Sequence, residues 1–309
     1  MKPPVGGQAI IEGVMMQNGD RIAVAVRRQS DAEIVVRSMP ARFRFKRLGQ
    51  IPLLRGLFRM YDMMSLGLRA LNLSTQLAFP EEEQLGRGGT FFTFLIAIVV
   101  AVGAFVVLPL YLTNSISGLR LGNSVVFNLV EGFIRLAFFF VYLFVISRLK
   151  DIHRVFQYHG AEHKAVYTYE ADEPLTVESA RPHTTLHPRC GTAFLMTVFV
   201  IAILVFSLAG NPALWLKILS RLLLLPVVAG ISYEVLRFSG RNFDRWWVRA
   251  LAQPGLWLQR LTTAAPDDDM IEVALTALRT VVADEVLPHS TEEIDSESTS
   301  SLNADADAA

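Results

Sequence analysis

The sequence contains a single cysteine, Cys190, which excludes an internal disulfide framework. Charged residues make up only 19% of its 309 residues and they balance, 29 basic against 29 acidic. Nucleic acid is therefore not expected as a partner. The opening MKPPVGG lacks the apolar core of a cleavable signal peptide. Neither a G-x-x-x-x-G-K phosphate loop nor a dinucleotide fingerprint occurs, so no nucleotide cofactor is predicted.

Apolar residues are abundant instead. They make up 52% of the chain and give a mean hydropathy of +0.37, which is more apolar than an ordinary soluble protein. Four stretches are long and apolar enough to be predicted as transmembrane helices: residues 91–113, 125–147, 192–210 and 213–236. The sequence therefore predicts an α-helical polytopic membrane protein with four transmembrane helices.

Both chain ends are predicted to contribute to a small cytoplasmic α+β domain. Residues 1–40 have the pattern of a β-meander of three strands, QAIIEGVMMQ, DRIAVAVRR and EIVVRSM, with a turn at Asn18-Gly19 between the first two. The glycines of this segment either serve turns or let the backbone approach a partner closely. Residues 267–285 combine an acidic start with an apolar stripe, which is typical of an amphipathic helix. We expect this helix to cover one face of the sheet.

Composition divides the chain further. Arginines alternate with apolar residues between positions 41 and 90, which indicates a helix on the membrane surface or, alternatively, one packed on the cytosolic domain. The predicted segments are 1–40, the cytoplasmic β-meander; 41–90, the amphipathic or interfacial helical segment; 91–147, transmembrane helices 1 and 2; 148–191, a cytoplasmic His/Cys-rich connection; 192–236, transmembrane helices 3 and 4; 237–287, interfacial and cytoplasmic helices; and 288–309, a disordered acidic tail.

Basic residues predict the orientation. Lysine and arginine concentrate in residues 148–191 and directly after the fourth span, whereas the two opposite loops offer only Arg120. Because basic loops stay in the cytoplasm, we expect a multi-pass protein of the inner (plasma) membrane with both termini cytoplasmic. Membrane lipid and other membrane proteins are the expected partners, and the sequence does not indicate an oligomeric state.

Two predicted spans carry charged residues. An unpaired charge inside a membrane is costly, so we expect Glu131 of the second span to pair with Arg221 of the fourth. The alternative partner is Arg135, one turn along the same helix. In a third interpretation, Lys217 and Arg221 extend outward to the headgroups.

The strongest chemical signal lies in the connection. His159, Glu162 and His163 form H-x-x-E-H, in which a helix would present two imidazoles on one face with a carboxylate beside them. His187 and Cys190 follow before the third span. The pattern predicts a divalent metal site, with zinc as the candidate ion, ligated by His159, His163, His187 and Cys190, and with Glu162 as general base.

Other arrangements of these residues remain open. Four protein ligands would make the metal site closed and structural, whereas three would leave a position for water. Alternatively, the same groups form a hydrogen-bonded cluster in which Glu162 accepts from a histidine and from Arg189. A nucleophilic pair of Cys190 with a histidine fits less well, since nothing else marks the thiol as activated.

Several long motifs resemble one known family. GGQAIIEGVMM, DIHRVFQYHGAEHK, LHPRCGT and PGLWLQRLTTAAPDDDMIEVA occur in an order similar to that of the YqhQ-like family, bacterial membrane proteins of unknown function labelled as predicted metal-dependent enzymes. The resemblance covers about residues 5 to 283. It implies that the five motif residues act together, namely His159, Glu162, His163, His187 and Cys190.

Two functions follow as hypotheses. The first is a metal-dependent, hydrolase-type integral membrane enzyme whose site lies at the cytoplasmic membrane face. The second is a non-enzymatic assembly factor or scaffold for membrane proteins, in which the His/Glu/Cys cluster is structural. The charged spans and the lack of a substrate-pocket signature favour the second.

Overall fold

A computed structural model describes residues 5–40, 51, 54–80, 87–116, 124–208, 213–243 and 245–283. The predicted acidic tail and residues 41–50 of the predicted interfacial segment lie outside this range. In the described part, an N-terminal sheet is followed by helices: α1 Leu54–Ala78, α2 Arg87–Val102, α3 Leu108–Ile116, α4 Ser124–Ile146, α5 Lys150–Glu170, α6 Val177–Ala180, α7 Thr192–Ser207, α8 Leu214–Arg241, α9 Trp246–Thr262 and α10 Asp268–Val282.

The N-terminal sheet is an antiparallel meander of four strands in sequential order: β1 Val5–Ile10, β2 Gly13–Asn18, β3 Arg21–Arg27 and β4 Ile34–Pro40. The sequence suggested three strands, because QAIIEGVMMQ reads as one apolar run. The run is broken by a tight turn at Glu12, whose φ of 51° lies in the left-handed region. The second turn comes one residue later than expected, because Asn18 pairs with Arg21 and the loop consists of Gly19 and Asp20, with Gly19 at φ 60°.

Helices cover both faces of the sheet. On one face, α10 and α5 pack against alternate strand residues such as Val14 and Ala23, and Leu275 and Leu278 of α10 are fully buried. On the other face lies α1, which buries Leu66 against a second cluster of strand side chains. Each face therefore has its own apolar core, as the two-residue period of a strand allows.

Helix α1 uses only part of its surface for this packing. Met63, Met64 and Leu68 are 43%, 54% and 42% exposed on the helix that buries Leu66. The helix therefore packs on the sheet and also presents an apolar surface, so features of both predicted roles of this segment occur together.

Three helical stretches are long and apolar enough to cross a membrane: Phe91–Ile116, Val125–Ile146 and Trp215–Gly240. The sequence predicts a fourth in residues 192–210. There, helix α7 has 16 residues, which at a rise of about 1.5 Å each is shorter than the ~30 Å hydrocarbon core. Residues 209–212, which include the end of the fourth predicted span, lie outside the described part. Among the described residues, three stretches are of spanning length.

Charged side chains between these helices are buried, and two of the cations pair with one carboxylate. Glu131 of α4 forms an ion pair with Arg135 on the same helix and lies 3.4 Å from Arg221 Nη2 of α8. Both partners considered from the sequence thus contact one carboxylate. Arg221 and Lys217 are only 1% and 3% exposed, so neither extends out of the bundle.

Helix α5 is fixed against both chain ends. Arg154 Nε donates to Glu12 Oε1 at 2.6 Å, and the Tyr158 hydroxyl contacts the same carboxylate at 3.4 Å. Gly160 packs so closely on the segment after α9 that a Cβ at this position would lie 2.2 Å from the Ala264 carbonyl oxygen. These contacts set the position of the helix that carries the H-x-x-E-H motif.

Candidate functional site

The motif lies on a helix, as its spacing predicts. His159 and His163 are one turn apart on α5, with ring centroids 4.5 Å apart. His163 and Glu162 are buried at 1% and 6% exposure. The two rings point toward the start of α7, where residues 187–192 turn back onto α5.

Each of these imidazoles is held by a main-chain carbonyl. His159 Nδ1 donates to the Thr262 oxygen at 2.8 Å, and His163 Nδ1 donates to the Thr185 oxygen. Because Nδ1 carries the proton in both rings, both Nε2 atoms present a lone pair. A ring whose Nδ1 is fixed by a carbonyl and whose Nε2 is free is the usual arrangement of a metal-binding histidine.

The two Nε2 atoms face the cysteine thiol and each other. His159 Nε2 lies 3.2 Å from Cys190 Sγ. His163 Nε2 is buried and has no hydrogen-bond partner among the described residues. One ligand atom from each of His159, His163 and Cys190 lies within 4.8 Å of the other two. This group can therefore hold a metal ion.

Cys190 is brought there by a turn at the start of α7. Its backbone N–H donates to the His187 carbonyl at 3.2 Å, so the chain reverses between these residues. Thr192 contacts the sulfur through its hydroxyl at 3.2 Å and its N–H at 3.4 Å. Pro188 and Gly191 lie within this reversal, as the sequence suggests.

The structure does not bring His187 into the group of three. Its Nδ1 accepts from the Arg189 N–H at 3.3 Å, and its Nε2 lies 3.5 Å from Glu170 Oε2. Both ring nitrogens are thus already engaged. The ring packs at the edge of the site, with its centroid 5.6 Å from that of His163.

Sequence reasoning missed Gln259 of α9. Its Oε1 accepts from the His187 N–H at 2.7 Å, and its Nε2 donates to the His187 carbonyl at 2.9 Å. The side chain is fully buried and so clamps the turn that presents Cys190. The available signal was a lone amide within the apolar run GLWLQRL, but that signal does not indicate which segment the amide contacts.

Glu162 lies beside the group and is tied to strand β1. Its Oε2 is 3.6 Å from His163 Nε2, and its carboxylate accepts from the Gly7 N–H. A Cβ on Gly7 would come within 2.7 Å of Glu162 Cγ. Gly7 therefore serves the close approach of the backbone to a partner, one of the two roles considered for the N-terminal glycines.

Burial favours the uncharged form of each group. It raises the pKa of Glu162 to about 8, against a lowering effect of the Gly7 hydrogen bond. Burial, aided by the nearby Glu162 carboxylate, raises the pKa of the Cys190 thiol to about 11. It also lowers the pKa of His163 to about 3 and that of His187 to about 4. The imidazoles are therefore neutral at pH 7, which is the form that binds metals.

Comparisons with known proteins identify relatives but no activity. Residues 51–284 match the family model described as Protein of unknown function (DUF1385). The chain is 33% identical over 304 residues to the Uncharacterized protein YqhQ of Bacillus subtilis (strain 168), which covers 92% of this chain and 94% of that relative. No solved structure matches. The resemblance to the YqhQ-like family of unknown function is thus confirmed.

Replacing Gln259 by Met tests the clamp. We expect a loss of about 2 to 4 kcal/mol in the free energy of unfolding, since the buried N–H and carbonyl of His187 lose their partner. Gln253→Met makes the same change on the exposed side of α9 and should stay within about 0.5 kcal/mol. Chemical denaturation of both variants measures the difference. Equal losses would show that Gln259 does not hold the turn.

Proposed function

Since this chain belongs to DUF1385, a family of unknown function, we propose its function from its own side chains: a metal-dependent enzyme of hydrolase type. The observation that carries the proposal is His163 Nε2, which is buried without a partner while its Nδ1 is fixed to a carbonyl. A buried polar atom left in this state is rare and calls for a missing partner. Beside it lie His159 Nε2 and the Cys190 sulfur, two further metal-ligand atoms.

The donor set fits zinc. Two imidazole nitrogens and one thiolate are ligands that Zn²⁺ prefers, and the carbonyls of Thr262 and Thr185 supply the outer contacts that orient such imidazoles. Three protein ligands leave the fourth position of a tetrahedral ion open, which is the pattern of catalytic zinc sites. With His187 outside the group, the set supports an open site more than a closed structural one.

Glu162 supplies the proton chemistry of the proposed reaction. A bound divalent ion would act as a Lewis acid that acidifies water. Glu162 lies next to His163 Nε2 without belonging to the three ligands. Burial raises its pKa to about 8, and a cation held beside it would lower that pKa again. The ionised carboxylate would then be placed to accept a proton from a nearby water molecule. The Gly7 N–H fixes the orientation of that carboxylate, and burial of the site limits competing bulk water.

We also propose that the site lies at the cytoplasmic face of the inner membrane. Helix α4 ends at Ile146, shortly before α5 begins, and α7 begins two residues after Cys190. The group is therefore attached directly to the ends of two apolar helices. The basic residues of the connection surround this end, which supports a cytoplasmic orientation.

Metal content tests the centre. Protein purified without chelators should carry roughly one zinc ion per chain by elemental analysis. His163→Ala should remove the zinc ion, because this substitution deletes Nε2, one of the three proposed ligand atoms. His187→Ala and Glu162→Gln should retain it. His183→Ala is the matched control, since this histidine pairs with Glu173 away from the group.

One outcome would contradict the proposed metal centre. Wild-type protein that carries no metal, and whose thermal stability zinc does not change, would leave the hydrogen-bonded cluster as the role of these residues. The scaffold or assembly-factor hypothesis would then be the better account of the chain.

Hydrolysis tests the role of Glu162. Metal-loaded protein in detergent is assayed against p-nitrophenyl esters of graded chain length and internally quenched peptides. We expect Glu162→Gln to reduce any turnover by at least about 100-fold while the metal is kept, since the proton acceptor is lost. Glu178→Gln changes an exposed carboxylate on α6 and should leave turnover unaffected. Full turnover in Glu162→Gln would exclude this residue as the base.

Reporter fusions test the orientation. A reporter joined after residue 170 or at residue 285 should report the cytoplasm, and one joined at residue 118 should report the exterior, because basic residues concentrate on the side predicted for the first two positions. Paired alkaline phosphatase and fluorescent-protein fusions measure the side directly. An exterior signal at residue 170 would contradict a cytoplasmic site.

A further inference from the structure

The apolar helices enclose a second polar group, far from the histidines. It consists of Glu131 and Arg135 on α4 and Lys217 and Arg221 on α8. Their side chains are 1%, 6%, 3% and 1% exposed, respectively. The proposed function makes no use of these residues.

Glu131 is the hub of this group. One carboxylate oxygen pairs with Arg135, and the other lies 3.4 Å from Arg221 Nη2. Arg221 Nη2 also donates to the Asn128 amide oxygen. Arg135 Nε donates to the Phe105 carbonyl at 2.8 Å, within a π-helical turn between α2 and α3. These contacts hold two guanidinium groups side by side.

The positive charge of the group exceeds the negative charge. Three cations share one carboxylate, because Lys217 forms no ion pair among the described residues. The sequence offers no other acid nearby: Glu131 is the sole acidic residue between positions 84 and 150, and residues 179–233 contain none. The segments that directly precede α4 and α8 therefore contain no acidic residue that could supply the missing negative charge.

Hydrogen-bond donors are left over as well. Arg221 Nε and Nη1 are buried without a partner in the described part of the chain. Aromatic rings take the place of counter-ions: the Arg221 guanidinium lies 4.5 Å from the Phe206 ring centroid, and Lys217 Nζ lies 3.8 Å from that of Phe127. A ring face attracts a cation more weakly than an anion does, so the excess charge is not neutralised.

Lys217 and Arg221 lie toward one end of the bundle. Lys217 lies in the first turn of α8, and Arg221 follows one turn later on the same side of the helix. At about 1.5 Å per residue, Arg221 is roughly 10 Å from the start of the helix. A ligand that enters between α4 and α8 at this end would meet Lys217 first.

We propose that Lys217, Arg221 and Arg135 form a binding site for a phosphate group, supplied by an anionic phospholipid. Phosphate oxygens match both the planar donors of arginine and the compact charge of lysine. Glu131 and Asn128 are positioning residues, which orient the guanidiniums without contacting the ligand. The part of the proposal that names a lipid as the source of the phosphate rests on the membrane placement proposed above. The binding of a phosphate group does not depend on that placement.

The test compares lipids of equal chain length and different headgroup. Delipidated full-length protein in neutral detergent is melted with phosphatidylglycerol, phosphatidylcholine or inorganic phosphate while tryptophan fluorescence is followed. Phosphatidylglycerol should raise the Tm by about 4 °C more than phosphatidylcholine, as expected for a ligand that binds only the folded state. If inorganic phosphate raised the Tm by the same amount, the ligand of the site would be the free phosphate anion and not the lipid.

Lys217→Gln is the decisive variant, because Lys217 has no ion pair to lose within the described part of the chain and Arg221→Gln would also break the contacts with Asn128 and Glu131. It should abolish the difference between the two lipids and should not destabilise the lipid-free protein. Arg148→Gln, an exposed arginine after α4, should keep the difference. Equal shifts by both lipids in the wild type, or a difference that persists in Lys217→Gln, would overturn the proposal. Metal content does not enter this readout, so the two proposals can fail separately.

Discussion

A buried imidazole must satisfy two nitrogens, and this requirement organises the centre of the molecule. The chain meets it at Nδ1 of His159 and His163 with carbonyls from two distant segments, those of Thr262 and Thr185. The same contacts bring α9 and the residues before α7 onto α5. At Nε2 of His163 the requirement is left unmet within the described residues, so one constraint accounts both for the local packing and for the nitrogen that lacks a partner there.

The polar group between the apolar helices faces the same requirement for buried partners, but its members are charged side chains instead of imidazole rings. There the single carboxylate of Glu131 lies among more cations than it can neutralise. An asparagine oxygen, a main-chain carbonyl and aromatic rings make the other contacts with these cations. Low dielectric makes each unmet contact costly. Both places therefore contain buried polar atoms for which the described residues provide no partner.

Periodicity predicted the local parts of this arrangement. The spacing of His159, Glu162 and His163 placed them together on a helix, and the hairpin turn formed within one residue of the predicted Asn18-Gly19. Tertiary contacts decided the rest. The break at Glu12 depends on its position against α5, the clamp by Gln259 joins residues far apart in sequence, and His187 leaves the ligand group because Glu170 and Arg189 engage its ring. The length of α7, likewise, cannot be read from its hydrophobicity alone.

The contribution of α9 has a consequence for biosynthesis. The carbonyl that orients His159 and the amide that holds the Cys190 turn both come from this helix, which begins at Trp246. A nascent chain that has been synthesised only as far as α8 still lacks both contacts. The centre can therefore assemble only after translation is nearly complete, and a polypeptide interrupted before α9 would have its ligands in the chain without the means to present them.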